Sequence, residues 1–409
     1  MSVRSRIIRG LLAATALVVL LTGVSVTRFV LAHPNYGLQQ NMATWARNKG
    51  LGFAVDRMEM WLHSKAPEAA PAASLALGDT TDTTLVPGTT TPESTTSSSS
   101  TSTTWPAWTT SSTIPGETTT TVPGQVVPPA DITPVISPAL KGEGQWRVLF
   151  TLGKSRKQPV VWAMSTRPFA KYGSVVATAA VFDQTRLSAA MFNGSDVPGG
   201  GPWVNSKRIP DRALKSLVAA FNGGFRFEHK PGGYVTEGVE VRKMVKGNAT
   251  IGIDANHVMH VGVWGDDMHR DDGWVSLRQN LPPLVQDGKV TWTKYKWTDW
   301  GTDYGDKMYT YRSGLCARTD GSLMFVSVGD VNIGLLADAM LQFGCSTGME
   351  LDINGNWPHF STYTGFGTTN RYGRTLDTRM GDPLRFINGY EKDFFALFDP
   401  RMLPADLLR

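Results

Sequence analysis

The chain of 409 residues lacks the short motifs that mark the best-known catalytic and metal sites. It has no H-E-x-x-H, no paired C-x-x-C and no EF-hand loop, and His257, His260 and His269 are irregularly spaced. No metal site is therefore predicted, although the sequence leaves a divalent cation open. No G-x-S-x-G, Walker loop or dinucleotide fingerprint stands in a suitable context, so the sequence predicts no cofactor.

Cysteine is scarce, and the two cysteines of the chain are Cys316 and Cys345. If this part of the chain is exported, an even pair favours a disulfide. The alternative is a pair of buried thiols that pack as small hydrophobic side chains.

Basic residues are in slight excess, with 40 Lys and Arg against 35 Asp and Glu. They are scattered, and the chain has no Arg-rich helix, zinc knuckle or RNP-like strand, so no nucleic-acid partner is predicted. The resulting net charge of +5 suits an anionic surface such as a membrane or a cell-wall polymer. The sequence does not indicate an oligomeric state.

The N-terminal third of the chain is predicted to anchor and space the rest. Arg4, Arg6 and Arg9 precede the uncharged run Gly10–Val26, which would extend about 25 Å as a helix. Residues 1–32 are therefore predicted to be a basic flank and a single transmembrane helix with a cytoplasmic N-terminus and an extracytoplasmic C-terminal domain. The alternative is secretion after signal cleavage near Ala32.

Two further segments lead from this predicted anchor to the domain. Residues 33–65 alternate aromatic and charged residues around Gly50 and are predicted to form a short helical juxtamembrane stalk. Residues 66–140 contain no Lys or Arg and are rich in Ser, Thr and Pro. Such a segment cannot bury enough apolar surface to offset its ordering entropy, so a disordered linker is predicted.

Residues 141–409 are long and mixed enough in composition to form one globular domain. Helical patterns are sparse: Asp211–Val218 is a short candidate, and the clearest is Ile333–Phe343, which Asn332 can cap. The predicted fold is α+β with β structure dominant. Apolar runs separated by turn residues predict strands at 147–152, 160–164, 175–182, 323–328 and 349–353.

The stretch Gly348–Phe360 reads G-M-E-L-D-I-N-G-N-W-P-H-F. Its apolar run ends at Asp352, and polar, flexible and aromatic residues follow. Because unpaired buried polar groups are costly, these side chains are expected to face solvent, a partner or a ligand. The pattern predicts a site formed by Asp352, Asn354, Asn356 and Trp357.

Two further segments carry candidate site residues. In A-F-N-G-G-F, Gly223 and Gly224 would let backbone approach a ligand and Asn222 offers a donor and an acceptor, although such a segment is usually a turn. Arg312 precedes a predicted strand, and its forked guanidinium suits a phosphate.

Taken together, these segments resemble the phosphodiester glycosidase family. The matching pieces, in order, are A-F-N-G-G-F at 220–225, I-G-I-D-A-N at 251–256, R-Q-N-L-P-P-L-V-Q-D-G at 278–288, R-S-G-L-C-A-R-T-D-G-S-L at 312–323 and M-E-L-D at 349–352. The resemblance covers about 147–365, and the N-terminal extension resembles an exported bacterial branch. Where the family commonly reads L-D-G-G-G-S, this chain reads L-D-I-N-G-N-W.

The resemblance implies a membrane-anchored extracytoplasmic hydrolase that releases a sugar from a sugar-1-phosphate diester in an envelope glycan or glycopolymer. Asp352 is then expected to act as nucleophile or general base, Arg312 to hold the phosphate, and Asn222 with Gly223 and Gly224 to position the sugar. The remaining expected substrate contacts are Asn280, Asn354, Asn356, Trp357 and, as a second carboxylate, Glu237.

Two alternatives stay open at this point. The I-N-G-N-W replacement favours a module that keeps the fold and binds envelope glycan without cleaving it. For Glu237 the alternative is an ordinary turn residue in solvent.

Overall fold

Three antiparallel sheets and few helices make up the described part of the chain. The computed structural model describes residues 18–31, 38–77, 128–153, 158–199, 201–296, 300, 308–366, 372–404 and 407. The predicted β-dominant fold with few helices is confirmed.

The largest sheet has eight strands, and its hydrogen-bonded neighbours run antiparallel. Strands β13 (Thr310–Arg318) and β15 (Cys345–Ile353) are neighbours near its middle. In spatial order the strands are β1 (Arg147–Leu152), β2 (Gln158–Thr166), β3 (Ala177–Phe182), β14 (Leu323–Val331), β13 (Thr310–Arg318), β15 (Cys345–Ile353), β11 (Val285–Gln286) and β12 (Lys289–Val290).

Two smaller antiparallel sheets of five strands each complete the domain. One consists, in spatial order, of β7 (Val239–Arg242), β6 (Tyr234–Thr236), β10 (Trp274–Gln279), β8 (Ala249–Asp254) and β9 (Met259–Val263). The other consists of β17 (Tyr372–Thr375), β16 (Phe360–Thr364), β5 (Leu217–Asn222), β18 (Phe394–Phe398) and β4 (Ser188–Phe192).

One buried apolar cluster draws side chains from all three sheets. At its centre, the ring of Phe221 lies 5.4 Å from that of Phe395, 6.0 Å from that of Phe360 and 5.8 Å from that of Phe325, measured between centroids. Aromatic pairs at such separations stabilise a core by about 0.5–1.5 kcal/mol each beyond the area they bury. Phe221 therefore holds the third sheet against the largest one.

Helix α4 (Ile333–Gln342) covers the other face of the largest sheet. It begins where the side chain of Asn332 accepts a hydrogen bond from the backbone N–H of Leu335 at 2.9 Å. It ends before Gly344, whose φ of +82° suits glycine. The predicted helix and both of its end signals are confirmed.

The helix predicted for Asp211–Val218 is wrong. Only Asp211–Ala213 forms a single 3-10 turn, and strand β5 begins at Leu217. The run Leu217–Asn222 is fully buried and pairs with β16 and β18, so sheet pairing outweighs the local helical preference.

Three helices precede the domain. Residues 18–31 form α1, and the glycine break at Gly50 separates α2 (Leu38–Asn48) from α3 (Gly52–Leu62). In the described part of the chain, no helix is both long and apolar enough to cross a membrane. The predicted transmembrane helix is thus not supported, and residues 10–17 of that prediction lie outside the described residues.

The predicted linker 66–140 differs from the structure at both ends. The N–H of Ala72 donates to the carbonyl of Gly173 at 2.9 Å, and the N–H of Ile132 donates to that of Gly144 at 2.8 Å. Because their backbone groups find partners on the domain, 66–77 and 128–140 pack against it. Residues 78–127 of the prediction lie outside the described residues.

Cys316 in β13 and Cys345 at the start of β15 form a disulfide, with their Cα atoms 5.6 Å apart. It joins neighbouring strands whose opposite ends carry Arg312 and Asp352. The bond closes a loop that contains β14 and α4, with a sequence separation of 29.

Replacing both cysteines, Cys316→Ala with Cys345→Ala, should lower the free energy of unfolding by about 2–4 kcal/mol because the unfolded chain regains loop entropy. Urea denaturation measures the change, and the wild-type protein unfolded in reductant is the matched control. An unchanged urea midpoint would contradict the expectation.

Candidate functional site

A cavity of about 350 Å³ lies between the α2–α3 hairpin and the strand ends of the domain. The hairpin is also joined to the domain by a 2.8 Å hydrogen bond from the N–H of Tyr309 to the carbonyl of His63. The hairpin side of the cavity is lined by Ala43, Thr44, Arg47, Asn48, Glu59 and His63. The domain side is lined by Phe225, Arg226, Glu228, His229, Trp300, Met308, Arg312, Ile333, residues 352–357 and Lys392.

Asp352 lies at the end of β15 and is only 2% exposed. Its Oδ1 accepts a hydrogen bond from Nζ of Lys392, whereas its buried Oδ2 has no partner within the described part of the chain. Burial raises the pKa of Asp352 to about 7, and the Lys392 ammonium acts in the opposite direction. Asp352 thus lines the cavity as a carboxylate with one oxygen hydrogen-bonded and the other buried without a partner among the described residues.

Lys392 lies two residues before β18 and is buried as well. Burial lowers its pKa, and Asp352 opposes that shift. Its Nζ lies 4.6 Å from the ring centroid of Trp357, and Cζ of Arg226 lies 5.9 Å from that ring. Arg226 also lies 3.8 Å from Asp196. Two cations therefore lie near one indole beside Asp352, and each also lies next to a carboxylate.

Gly223 joins the strand ends that carry this pair. Its N–H donates to the carbonyl of Asp393 at 3.0 Å, and its carbonyl accepts from the N–H of Asp352 at 3.1 Å. A Cβ on Gly223 would lie 2.1 Å from Oδ2 of Asp393, and one on Gly224 would lie 2.8 Å from Oδ1 of Asn280. Glycine is therefore required here for close packing of protein atoms, and neither glycine lines the cavity.

Asn222 lies behind the site. Its Nδ2 donates to Oγ of Ser313 at 3.1 Å, and that hydroxyl donates to the carbonyl of Asp352 at 2.7 Å. Its Oδ1 accepts from the N–H of His359 at 2.8 Å. Asn222 thus positions the backbone around Asp352, and it is not on the cavity wall.

Asn280 is likewise fully buried and structural. Its Oδ1 accepts from the N–H of Phe225 at 2.9 Å, and its Nδ2 donates to the carbonyl of Glu350 at 2.8 Å. Glu237 does not line the cavity and lies in the turn between β6 and β7, where its Oε1 accepts from the N–H of Asn205 at 2.8 Å. The structure does not bring these two residues to the cavity.

Arg312 reaches the cavity wall, but its side chain is only 3% exposed. Its Nη1 donates to Oε1 of Glu350 at 2.5 Å, and its Nε and Nη2 donate to the carbonyls of Val331 and Met308 at 2.9 Å each. Burial raises the pKa of Glu350, while Arg312 acts against that shift. The guanidinium is therefore committed to a buried carboxylate, which differs from the predicted phosphate contact.

The remaining predicted residues do line the cavity. Asn354 adopts a φ of +74°, and its Oδ1 accepts from the N–H of Asn356 at 3.2 Å, which forms the turn that leads to Trp357. Among the described residues, no group of three or more His, Cys, Asp or Glu side chains is placed to hold a metal ion.

Sequence reasoning missed Lys392, Arg226 and the hairpin wall. For Lys392 a signal was present: K-D precedes the apolar strand F-F-A-L-F, just as Asp352 follows an apolar one. For the hairpin the sequence carried no such signal, because nothing in residues 38–63 indicates which surface of the domain they cover.

Comparison with known proteins supports the resemblance found in the sequence. The model of the family described as phosphodiester glycosidase matches residues 215–352, which confirms the predicted family for that segment. No curated protein sequence matches the chain.

Solved structures show partial similarity. The catalytic domain of zebrafish N-acetylglucosamine-1-phosphodiester alpha-N-acetylglucosaminidase, auto-inhibited by its pro-peptide, is 15% identical, with a TM-score of 0.41 over 62% of this chain and 87% of that one. A hypothetical protein from Synechocystis is 9% identical, with a TM-score of 0.40 over 59% of this chain and 62% of that one.

Replacing Arg312 alone, Arg312→Met, should lower the free energy of unfolding by about 3–5 kcal/mol because Glu350 would keep a buried charge without a partner. Adding Glu350→Gln should restore a large part of that loss. Urea denaturation measures both changes.

The matched control is Arg208→Met, since Arg208 pairs with Asp211 at the surface and such pairs contribute little. If Arg312→Met were as stable as the control, the structural role of Arg312 would be refuted and its guanidinium would be free for a ligand.

Proposed function

We propose that this protein is a hydrolase that cleaves a sugar-1-phosphate diester of the cell envelope, from the premise that residues 215–352 match the phosphodiester glycosidase family. The observation that carries the proposal is the carboxylate of Asp352, which lies in a cavity beside Lys392 and Arg226 with only one of its two oxygens hydrogen-bonded among the described residues. A carboxylate at the sugar carbon and cations at the phosphate are the groups that this reaction needs.

In the proposed reaction the bond between C1 of the sugar and the phosphate oxygen breaks, and the phosphate leaves with the electron pair. Asp352 acts on C1, either by attacking it directly or by removing a proton from the water that does so. Both roles need an ionised carboxylate with a free oxygen, and Oδ2 offers one. The leaving phosphate is a weak base, so it needs little protonation.

Lys392 and Arg226 would stabilise the charge that develops on the leaving phosphate. They take the role that the sequence suggests for Arg312, whose donors are engaged by Glu350 and two backbone carbonyls. The amides of Asn354 and Asn356, on the cavity wall, are suited to sugar hydroxyls. Asn222 and Gly223 would act indirectly by holding the backbone of Asp352.

An extracytoplasmic location and attachment at the membrane are part of the proposal. The Cys316–Cys345 disulfide supports an oxidising compartment. Arg4, Arg6 and Arg9, followed by an uncharged stretch, support export and retention at the membrane.

Removing the carboxylate charge by Asp352→Asn should lower kcat by at least about a thousandfold on the methyl diesters of glucose-1-phosphate and N-acetylglucosamine-1-phosphate. The measurement is release of free sugar, and Asp266→Asn, at an exposed turn, is the matched control. Glycan binding without turnover by the wild-type protein would overturn the hydrolase and favour a binding module.

The kcat/KM of the wild-type protein should rise with pH through about 7, because Asp352 works ionised and its pKa is about 7. Lys392→Met removes the cation that lowers this pKa, so the rise should move to higher pH by roughly 1–3 units, whereas Lys392→Arg should keep it near 7. If kcat/KM of Lys392→Met rose at the same pH as that of the wild-type protein, Asp352 would not be the titrating group.

A further inference from the structure

The α2–α3 hairpin presents its polar side to the cavity. Thr44 and Arg47 of α2, Glu59 of α3 and the following His63 all line it. Arg47 and Glu59 form an ion pair at 2.8 Å that joins the two helices on this side. The hairpin therefore forms a polar wall for a polar ligand.

The same hairpin presents large apolar side chains to the outside. Phe53 is 77% exposed and Trp61 is 75% exposed, and Met58 lies exposed on the same helix. At steps of 100° per residue, Phe53, Arg57 and Trp61 fall on one face of α3. An ordinary surface helix has the reverse arrangement, with its apolar side toward the protein. An exposed face of this kind marks an interaction surface.

The neighbouring helix extends the same chemistry. In α1, Val18, Val19, Leu20 and Leu21 are exposed, and Nε1 of Trp45 in α2 donates to Oγ of Ser25 in α1 at 3.0 Å. Arg28, Lys49 and Arg57 lie exposed among these apolar residues. Aliphatic and aromatic residues flanked by Lys and Arg are the composition of segments that lie in a bilayer interface. The partner that fits this surface is a lipid bilayer with anionic headgroups.

Inside the cavity, apolar wall residues accompany the charged ones. Phe225 and Ile333 belong to one buried apolar cluster, against which Ile353 packs, and Met308 also lines the cavity. A sugar phosphate offers polar groups to Asp352 and the cations but nothing to these side chains. An alkyl chain on the phosphate would bury against them.

We propose that the second ester of the substrate phosphate is a long-chain lipid alcohol, so that the substrate is a sugar joined through C1 to a membrane lipid phosphate. This rests on the proposed function and names its substrate class. The outer hairpin face lies on the bilayer, the sugar phosphate enters the cavity, and the first carbons of the lipid follow the apolar wall. Water adds across the C1–O bond, and the products are free sugar and a lipid phosphate monoester.

The test uses the full chain and glycosyl-1-phosphate diesters of one sugar with methyl, hexyl and long-chain alkyl groups. We expect kcat/KM to rise about fourfold for each of the first few methylenes, the gain that burying a methylene provides. The long-chain diester is presented in vesicles of phosphatidylcholine with phosphatidylglycerol, and vesicle flotation measures binding separately.

The double variant Phe53→Ser with Trp61→Ser should bind vesicles more weakly than the wild-type chain and lose at least about tenfold in kcat/KM on the long-chain diester, with unchanged activity on the methyl diester. The matched control is Val239→Ser with Val241→Ser, since these are exposed apolar residues of β7, outside the hairpin and the cavity wall.

Turnover of the methyl diester with no gain from chain length and no vesicle binding would overturn the lipid substrate and leave the proposed function standing. No turnover of any diester would overturn both. Loss of a concentration-dependent dimer in the double variant, seen by sedimentation without lipid, would assign the outer face to a second copy and overturn the lipid surface.

Discussion

Buried charge must be neutralised, and the arrangement of the strand ends follows from that constraint. Arg278 pairs with Asp393 through two hydrogen bonds, with both side chains fully buried. Arg312 donates one hydrogen bond to Glu350, whose second carboxylate oxygen is buried without a partner among the described residues. In the third pair, Lys392 with Asp352, one carboxylate oxygen likewise has no partner in that part of the chain, but here the carboxylate residue itself lines the cavity. The carboxylates of the first two pairs do not line the cavity, and the third pair places one on its wall.

The strand ends are joined at Gly223, where the neighbouring Asp393 leaves no room for a side chain. The backbone of Gly223 hydrogen-bonds both to Asp352 and to the residue that follows Lys392, so Asp352 and Lys392 meet across it. Asn222 adds a second tie through Ser313. Asn222 and Gly223, which match the family pattern, can therefore act indirectly, by fixing the position of the Asp352 carboxylate.

Local patterns predict the parts of the fold and site that local physics decides. Helix α4 with its caps, and Asp352 at the end of an apolar strand, follow from neighbouring residues alone. Lys392 carries the same signal, but its pairing with Asp352, 40 positions away, depends on strand order. The guanidinium of Arg312 suits phosphate and carboxylate equally well, so only the burial of Glu350 decides between them.

The hairpin and the domain contribute cavity walls from segments that lie far apart in the sequence. One wall comes from residues 43–63, and the opposite wall begins at Phe225, with residues 78–127 between them in sequence. The segment that the family model matches, 215–352, includes neither the hairpin nor Lys392. A fragment trimmed to that segment would thus keep Asp352 while losing its cation and its enclosure. The cavity is accordingly built from a longer part of the chain than the part that the family model matches.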